Sequence, residues 1–180
     1  MAVINPILKP LKDPNLPLSY RPISLLSSLS KILEKIMNKR LIWFLESNKI
    51  LSNSQYGCRK ARSALMALSD LDSQIYEAEA NHANLYSIFF DMENAFPRVW
   101  THHICSIFHQ LSLRGAFPRL LQNYLQKRTF CVRSANHHSS THEQENGVPQ
   151  GSPLSGTLFL LAINGVTEVI KPPHSLHPFL

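Results

Sequence analysis

The chain has 180 residues, enough for one domain with a real core, and its 44% hydrophobic and 17% charged residues describe a globular protein rather than a disordered or fibrous one. No apolar run approaches the roughly 20 residues of a membrane helix, and the start lacks a signal-peptide pattern, so neither a membrane-spanning nor a secreted protein is expected. The net charge of +6 is unevenly placed: residues 1–62 hold eleven Lys/Arg against three acids, a net of +8, and residues 63–180 a net of −2. A cationic end of this kind attracts polyanions such as nucleic acid or nucleotide triphosphates, although a solvated basic face fits the charge alone equally well.

Five of the twelve prolines fall in the first 22 residues, which predicts extended or looping chain with Val3-Ile4 and Ile7-Leu8 as short edge strands. From about Ser27 to Ser47 the period becomes helical. Leu29, Ile32, Leu33, Ile36, Leu41, Phe44 and Leu45 make the stripe, with Lys31, Glu34, Lys35, Lys39 and Arg40 mostly off it. Gln55–Ala61 reads as a loop or short strand. Ser63 can cap a second helix to about Ala80, with Leu65, Leu68, Leu71 and Ile75 inward and Asp70, Asp72, Glu77 and Glu79 in water. Leu85–Phe90, aromatic and branched, is the strongest strand pattern and ends at Asp91. A helix is expected from about Val99 to Leu113, with Trp100, Ile104, Ile107, Phe108 and Leu111 on one face and Gly115 as its stop. Pro118 opens a short helix through Leu125. Thr129–Arg133 reads as a strand, with Glu143–Val148 as hairpin partner. Three glycines, Gly147, Gly151 and Gly156, then introduce an apolar helix from about Leu154 to Val166. This mixture predicts an α+β fold, a sheet with helices on one face.

Cys58, Cys105 and Cys131 are odd in number and widely spaced. They predict neither a disulfide framework nor structural zinc, and point to a reducing, intracellular compartment. His102-His103 and the His137, His138, His142 group lack a ligand motif and read as exposed histidines.

Three stretches carry chemistry. Asp91 stands in Phe90-Asp91-Met92-Glu93-Asn94-Ala95-Phe96, a carboxylate at a strand end where side chains project into clefts; alone it is also an ordinary turn aspartate. In Gly147-Val148-Pro149-Gln150-Gly151-Ser152-Pro153-Leu154 the glycines let backbone approach a ligand, and Gln150 offers a donor and an acceptor; the plainer alternative is a Pro/Gly turn before a helix. The third is the basic pair Ser19-Tyr20-Arg21-Pro22-Ile23-Ser24-Leu25-Leu26 and Gln55-Tyr56-Gly57-Cys58-Arg59-Lys60.

In this order and spacing these motifs, together with Ile7-Leu8-Lys9-Pro10-Leu11-Lys12-Asp13-Pro14, resemble the reverse transcriptase domain of non-LTR, LINE-type retrotransposons, especially the jockey-like elements. The resemblance implies a partial right-hand polymerase fold with an antiparallel sheet: residues 1–82 as a fingers-like basic region, 83–180 as a partial palm, and no thumb. It implies that Arg21, Arg59 and Lys60 meet the incoming triphosphate and that Asp91 binds catalytic Mg2+. Phe96 would pack beneath the sugar and exclude the 2′-hydroxyl, and Gln150 and Gly151 would line the nucleotide and template pocket. An RNA template, a DNA primer and dNTPs are the implied partners, with no membrane. The family's two further aspartates come from a Tyr/Phe-Ala-Asp-Asp hairpin, and no such motif occurs in these 180 residues, so the chain alone is expected not to polymerise. A non-catalytic nucleic-acid-binding module and a functionless remnant are the alternatives. The chain departs from the family pattern in four places: Pro97 replaces an aspartate and biases Phe96 towards extended backbone, Cys58 replaces Phe, Gly156 replaces Pro, and Arg62-Ser63-Ala64 stands where a Ser-Thr pair is usual.

Overall fold

The computed structural model describes residues 1–166. The proline-rich start is more regular than its composition suggests. Ala2–Leu8 forms β1 and Tyr20–Leu25 forms β2, joined through a 3-10 turn at Pro17–Ser19 and paired antiparallel from Val3 opposite Leu25 to Leu8 opposite Tyr20. Pro6 faces Pro22 directly across this ladder. The pairing survives because the Ser24 N–H points away from β1, to the Gln150 carbonyl at 2.7 Å. Two residues earlier, on the same side of the strand, the nitrogen of Pro22 also points outward, where a missing donor costs no β1–β2 bond.

β1 is therefore an interior strand and not an edge. Its other side pairs with β3, Arg128–Ser134, with Ala2 opposite Phe130 and Ile4 opposite Val132. This pair runs parallel, so the sheet is mixed rather than wholly antiparallel. The far side of β3 takes β4, His137–His138, and β5, His142–Gln144, as antiparallel partners, a shorter hairpin return than Glu143–Val148. The α+β class stands, and one sheet joins the 1–82 region to the 83–180 region.

Five helices accompany the sheet among the described residues: α1 Ser28–Ser47, α2 Ala64–Ala80, α3 Thr101–Gln110, α4 Ala116–Leu125 and α5 Ser155–Ile163. The core gathers Met37, Leu41 and Leu45 of α1, Ile104 and Phe108 of α3, Leu121 and Leu125 of α4, and Leu154, Leu158 and Leu161 at α5. Each such side chain contributes about 1.5–3 kcal/mol of apolar burial.

The helical stripe of α1 is only half right. Leu41 and Leu45 are buried, but Leu29, Ile32, Leu33 and Ile36 are exposed, and Glu34 and Met37 face inward instead. In α2 only Ala67 is buried, while Leu65, Leu68 and Ile75 are exposed. Trp100 also lies outside the core. Gly115, at φ +83, stands at the start of α4 rather than stopping α3, which closes at Leu111. The largest departure is Leu85–Phe90, irregular and exposed, with Phe90 at 81%. An apolar extended segment becomes a strand only by exchanging backbone bonds with a neighbour, and no strand among the described residues pairs with it.

With so little packing, α2 depends on its N-cap, where the Ser63 hydroxyl accepts the Met66 N–H at 3.3 Å. Replacing Ser63 by Ala is expected to destabilise α2 by about 1 kcal/mol. Hydrogen exchange should quicken across Met66–Ala80 with little change in the global melt; unchanged α2 protection would mean that the Ser63 cap does not hold the helix.

Candidate functional site

The Gly147–Ser152 loop is held between two other segments by backbone contacts. On one side Gly147 N–H donates to Val99 O at 2.8 Å, and Val148 N–H to Phe96 O at 2.9 Å. On the other, Gln150 O accepts from Ser24 N–H of β2, and Ser155 Oγ donates to Pro149 O at 2.8 Å. Both glycines in it are required by geometry. Gly147 has φ +86, and a Cβ there would stand 2.5 Å from Pro97 O; Gly151 has φ +114, and its Cβ would stand 2.8 Å from Ser24 O.

Phe96, Gln150 and Gly151 thereby line one cleft of about 450 Å³, with Ile23, Cys58 and Gly156 on its walls. Pro97 does not extend Phe96: it lies in a turn in which Val99 N–H reaches Phe96 O at 3.4 Å. Two of the positions that depart from the family pattern touch each other, since a Cβ on Gly156 would meet Cys58 Sγ at 2.9 Å. A small residue at 156 is what leaves room for the thiol on that wall.

Asp91 lies elsewhere. It lines a separate cleft of about 520 Å³ with Glu93, Arg98, Trp100 and His103. The partition between the two clefts is the Phe96–Phe159 ring pair, centroids 5.4 Å apart, since Phe159 lines the Asp91 side. Asp91 is exposed and does not end a strand. Among the described residues no group of three or more His, Cys, Asp or Glu side chains is placed to hold a metal ion. These residues do not fit a two-magnesium centre, which needs several oxygen ligands, and no metal-dependent step is assigned to them.

The three basic residues part company. Arg21, opposite Ile7 on β2, and Lys60 are exposed. Arg59 is not open to a triphosphate. Its side chain is 6% exposed, and Nε and Nη2 grip the two oxygens of Glu46 at 2.8 and 2.7 Å, while Nη1 donates to Ser52 O and Gln55 O. Four of the five guanidinium N–H groups are consumed inside the protein. The Arg59 hydrogen bond holds the Glu46 carboxyl below the usual carboxylate range, against the upward push of burial.

Sequence reasoning also missed a polar relay behind the loop. Tyr124 Oη donates to Ser152 Oγ at 2.7 Å, and Ser152 Oγ donates to Glu34 Oε2 at 2.6 Å. Burial pushes the Tyr124 phenol above its ordinary value, keeping it a donor. Glu34 was legible in principle, because it is seven residues before Leu41 and eleven before Leu45, on their face of the helix. Asp70, expected in water, accepts the Tyr56 hydroxyl. The histidines at 102, 103, 137, 138 and 142 are all exposed. No helix among the described residues is long and apolar enough to cross a membrane.

The loop that joins Phe96 to Gln150 brings two of the ordered motifs to one cleft. The family model described as reverse transcriptase (RNA-dependent DNA polymerase) matches residues 9–177, and the chain belongs to that family. It is 38% identical over 159 residues to the probable RNA-directed DNA polymerase from transposon BS of Drosophila melanogaster, covering 88% of this chain and 17% of that relative. It is 36% identical over 165 residues to the corresponding protein from transposon X-element of the same species, covering 89% and 18%. To the RNA-directed DNA polymerase from mobile element jockey of Drosophila funebris it is 35% identical over 159 residues, covering 88% and 17%. The resemblance to jockey-like non-LTR retrotransposons is thus shown, and the chain spans no more than about a fifth of the length of the curated relatives it matches.

Proposed function

We propose that this chain supplies the nucleotide and template pocket of an RNA-directed DNA polymerase acting inside the cell on an RNA template, a DNA primer and dNTPs. The observation that carries this is the shared cleft of Phe96, Gln150 and Gly151. In this reading 1–82 is the fingers-like region and 83–180 part of the palm. Gln150 hydrogen-bonds a base or sugar edge, and Gly151 admits the ligand close to backbone. Phe96 stacks under the sugar and Arg21 and Lys60 hold phosphates. Asp91 would be one of the several carboxylates that a Mg2+ site needs, and among the described residues only Glu93 shares its cleft. Binding without chemistry is therefore the expected behaviour of this chain alone.

Equilibrium titration of the purified chain with a labelled RNA–DNA primer–template tests the reading. Saturable binding that weakens with salt is expected. Replacing Arg21 and Lys60 together by Ala should lower the slope of log K against log salt by about 2, one for each phosphate contact. Replacing Gln150 by Ala should weaken dNTP-dependent retention of the primer–template. Absence of saturable binding would overturn the pocket, an unchanged slope would remove Arg21 and Lys60 from the contact surface, and primer extension by this chain would overturn binding without chemistry.

A further inference from the structure

The Glu34 carboxylate on α1 is 1% exposed, and its hydrogen bonds come from two hydroxyls, Ser30 Oγ at 2.8 Å and Ser152 Oγ at 2.6 Å. A hydroxyl has one hydrogen and two lone pairs. Ser152 spends its hydrogen on Glu34 and accepts Tyr124 Oη and the Leu154 N–H, the latter at 3.1 Å. The direction of the relay is fixed by its acceptor end, and Ser152 is saturated. It is also the residue after Gly151, whose backbone already lies against Ser24 O. The loop thus has a backbone anchor on β2 at Gln150 and a side-chain anchor on α1 and α4 at Ser152.

We propose that Glu34 is the positioning residue of the Gln150–Gly151 wall, acting through Ser152 with Tyr124 as the second strut. Glu34 does not line the cleft. It sets the position of the cleft's wall relative to α1, so that Gln150 presents its amide at a fixed place. The consequence for binding rests on the pocket reading above; the positioning itself does not.

Amide 1H–15N spectra of the full chain separate the two. Replacing Glu34 by Ala should displace the Gly151 and Leu154 resonances and leave Gly115, which has nothing within 4 Å of its Cβ position, in place. Replacing Glu34 by Gln should restore them, because a glutamine keeps an oxygen for Ser152 and turns an N–H towards Ser30. Replacing Ser152 by Ala should reproduce the displacement without altering α1, and serves if the Glu34→Ala chain fails to fold. Primer–template affinity should fall about tenfold in Glu34→Ala and Ser152→Ala and return in Glu34→Gln, the scale of one ordinary hydrogen bond lost between a displaced Gln150 and the ligand. Gly151 resonances that coincide with the parent in Glu34→Ala or Ser152→Ala, or a Glu34→Gln chain no closer to the parent than Glu34→Ala, would overturn the proposal. If the parent chain binds no primer–template, the pocket reading falls and the amide comparison still decides the role of Glu34.

Discussion

Replacing Gly147 by Ala is expected to destabilise the protein by about 3 kcal/mol, the sum of left-handed backbone strain and overpacking against a neighbour that cannot yield. The neighbour is backbone: the new methyl would lie 2.5 Å from Pro97 O, 2.8 Å from its Cα and 2.9 Å from its carbonyl carbon. Relief requires separating the loop from the Phe96–Val99 turn, which breaks the Gly147–Val99 and Val148–Phe96 hydrogen bonds and withdraws Phe96 from the cleft. Gly115→Ala is the control. It has nearly the same φ, +83 against +86, but open space around its Cβ position, so it reads backbone strain without overpacking, about 1–3 kcal/mol at its ψ of −153, a conformation essentially confined to glycine. Urea denaturation midpoints of the two variants, compared at equal slope, read the difference. A Gly147→Ala loss of no more than about 1–2 kcal/mol, the size of left-handed strain alone, would mean that the Pro97 contact does not constrain the loop.

How much of this was legible follows from what a sequence encodes. The boundaries of α1 were legible within a residue because its period is local. Its buried face was not. Periodicity says which residues would gain from burial, whereas Leu29, Ile32, Leu33 and Ile36 find nothing to cover them and Glu34 is drawn in by a serine 118 residues away. Leu85–Phe90 failed for the same reason, its composition being that of a strand and its pairing partner a matter of the rest of the fold. The glycines at 147 and 151 were read as places where backbone approaches a ligand, whereas their Cβ positions face the backbone of Pro97 and Ser24, contacts that no local pattern encodes. The order of motifs was enough to identify the family and its candidate residues. It could not show that Phe96, Gln150 and Gly151 share a cleft while Asp91 lies on the other side of a phenylalanine pair.

Arg59, expected to meet a triphosphate, spends its guanidinium on Glu46 and two loop carbonyls, and its substitution carries the second large expected effect. Replacing Arg59 by Ala should cost roughly 2–3 kcal/mol, less than a fully buried pair because the Glu46 side chain is 39% exposed and can rehydrate. Arg59→Lys should recover little of it, since an ammonium cannot bridge both carboxylate oxygens and two carbonyls from one position. The pH dependence has a definite sign. Glu46 is held below its unfolded value by Arg59, so its contribution is present above the unfolded carboxylate value of about 4.3 and is lost as pH falls through the lower folded value. Denaturation of parent and Arg59→Ala chains should therefore show a stability gap at pH 7 that narrows as acid protonates Glu46. A gap independent of pH would assign the loss to the Ser52 and Gln55 carbonyls alone. A gap that narrows makes Arg59, through Glu46, the clamp that fixes the Leu51–Ala61 loop to the end of α1. Cys58 on that loop then meets Gly156, so the cation shapes the cleft wall without facing the ligand.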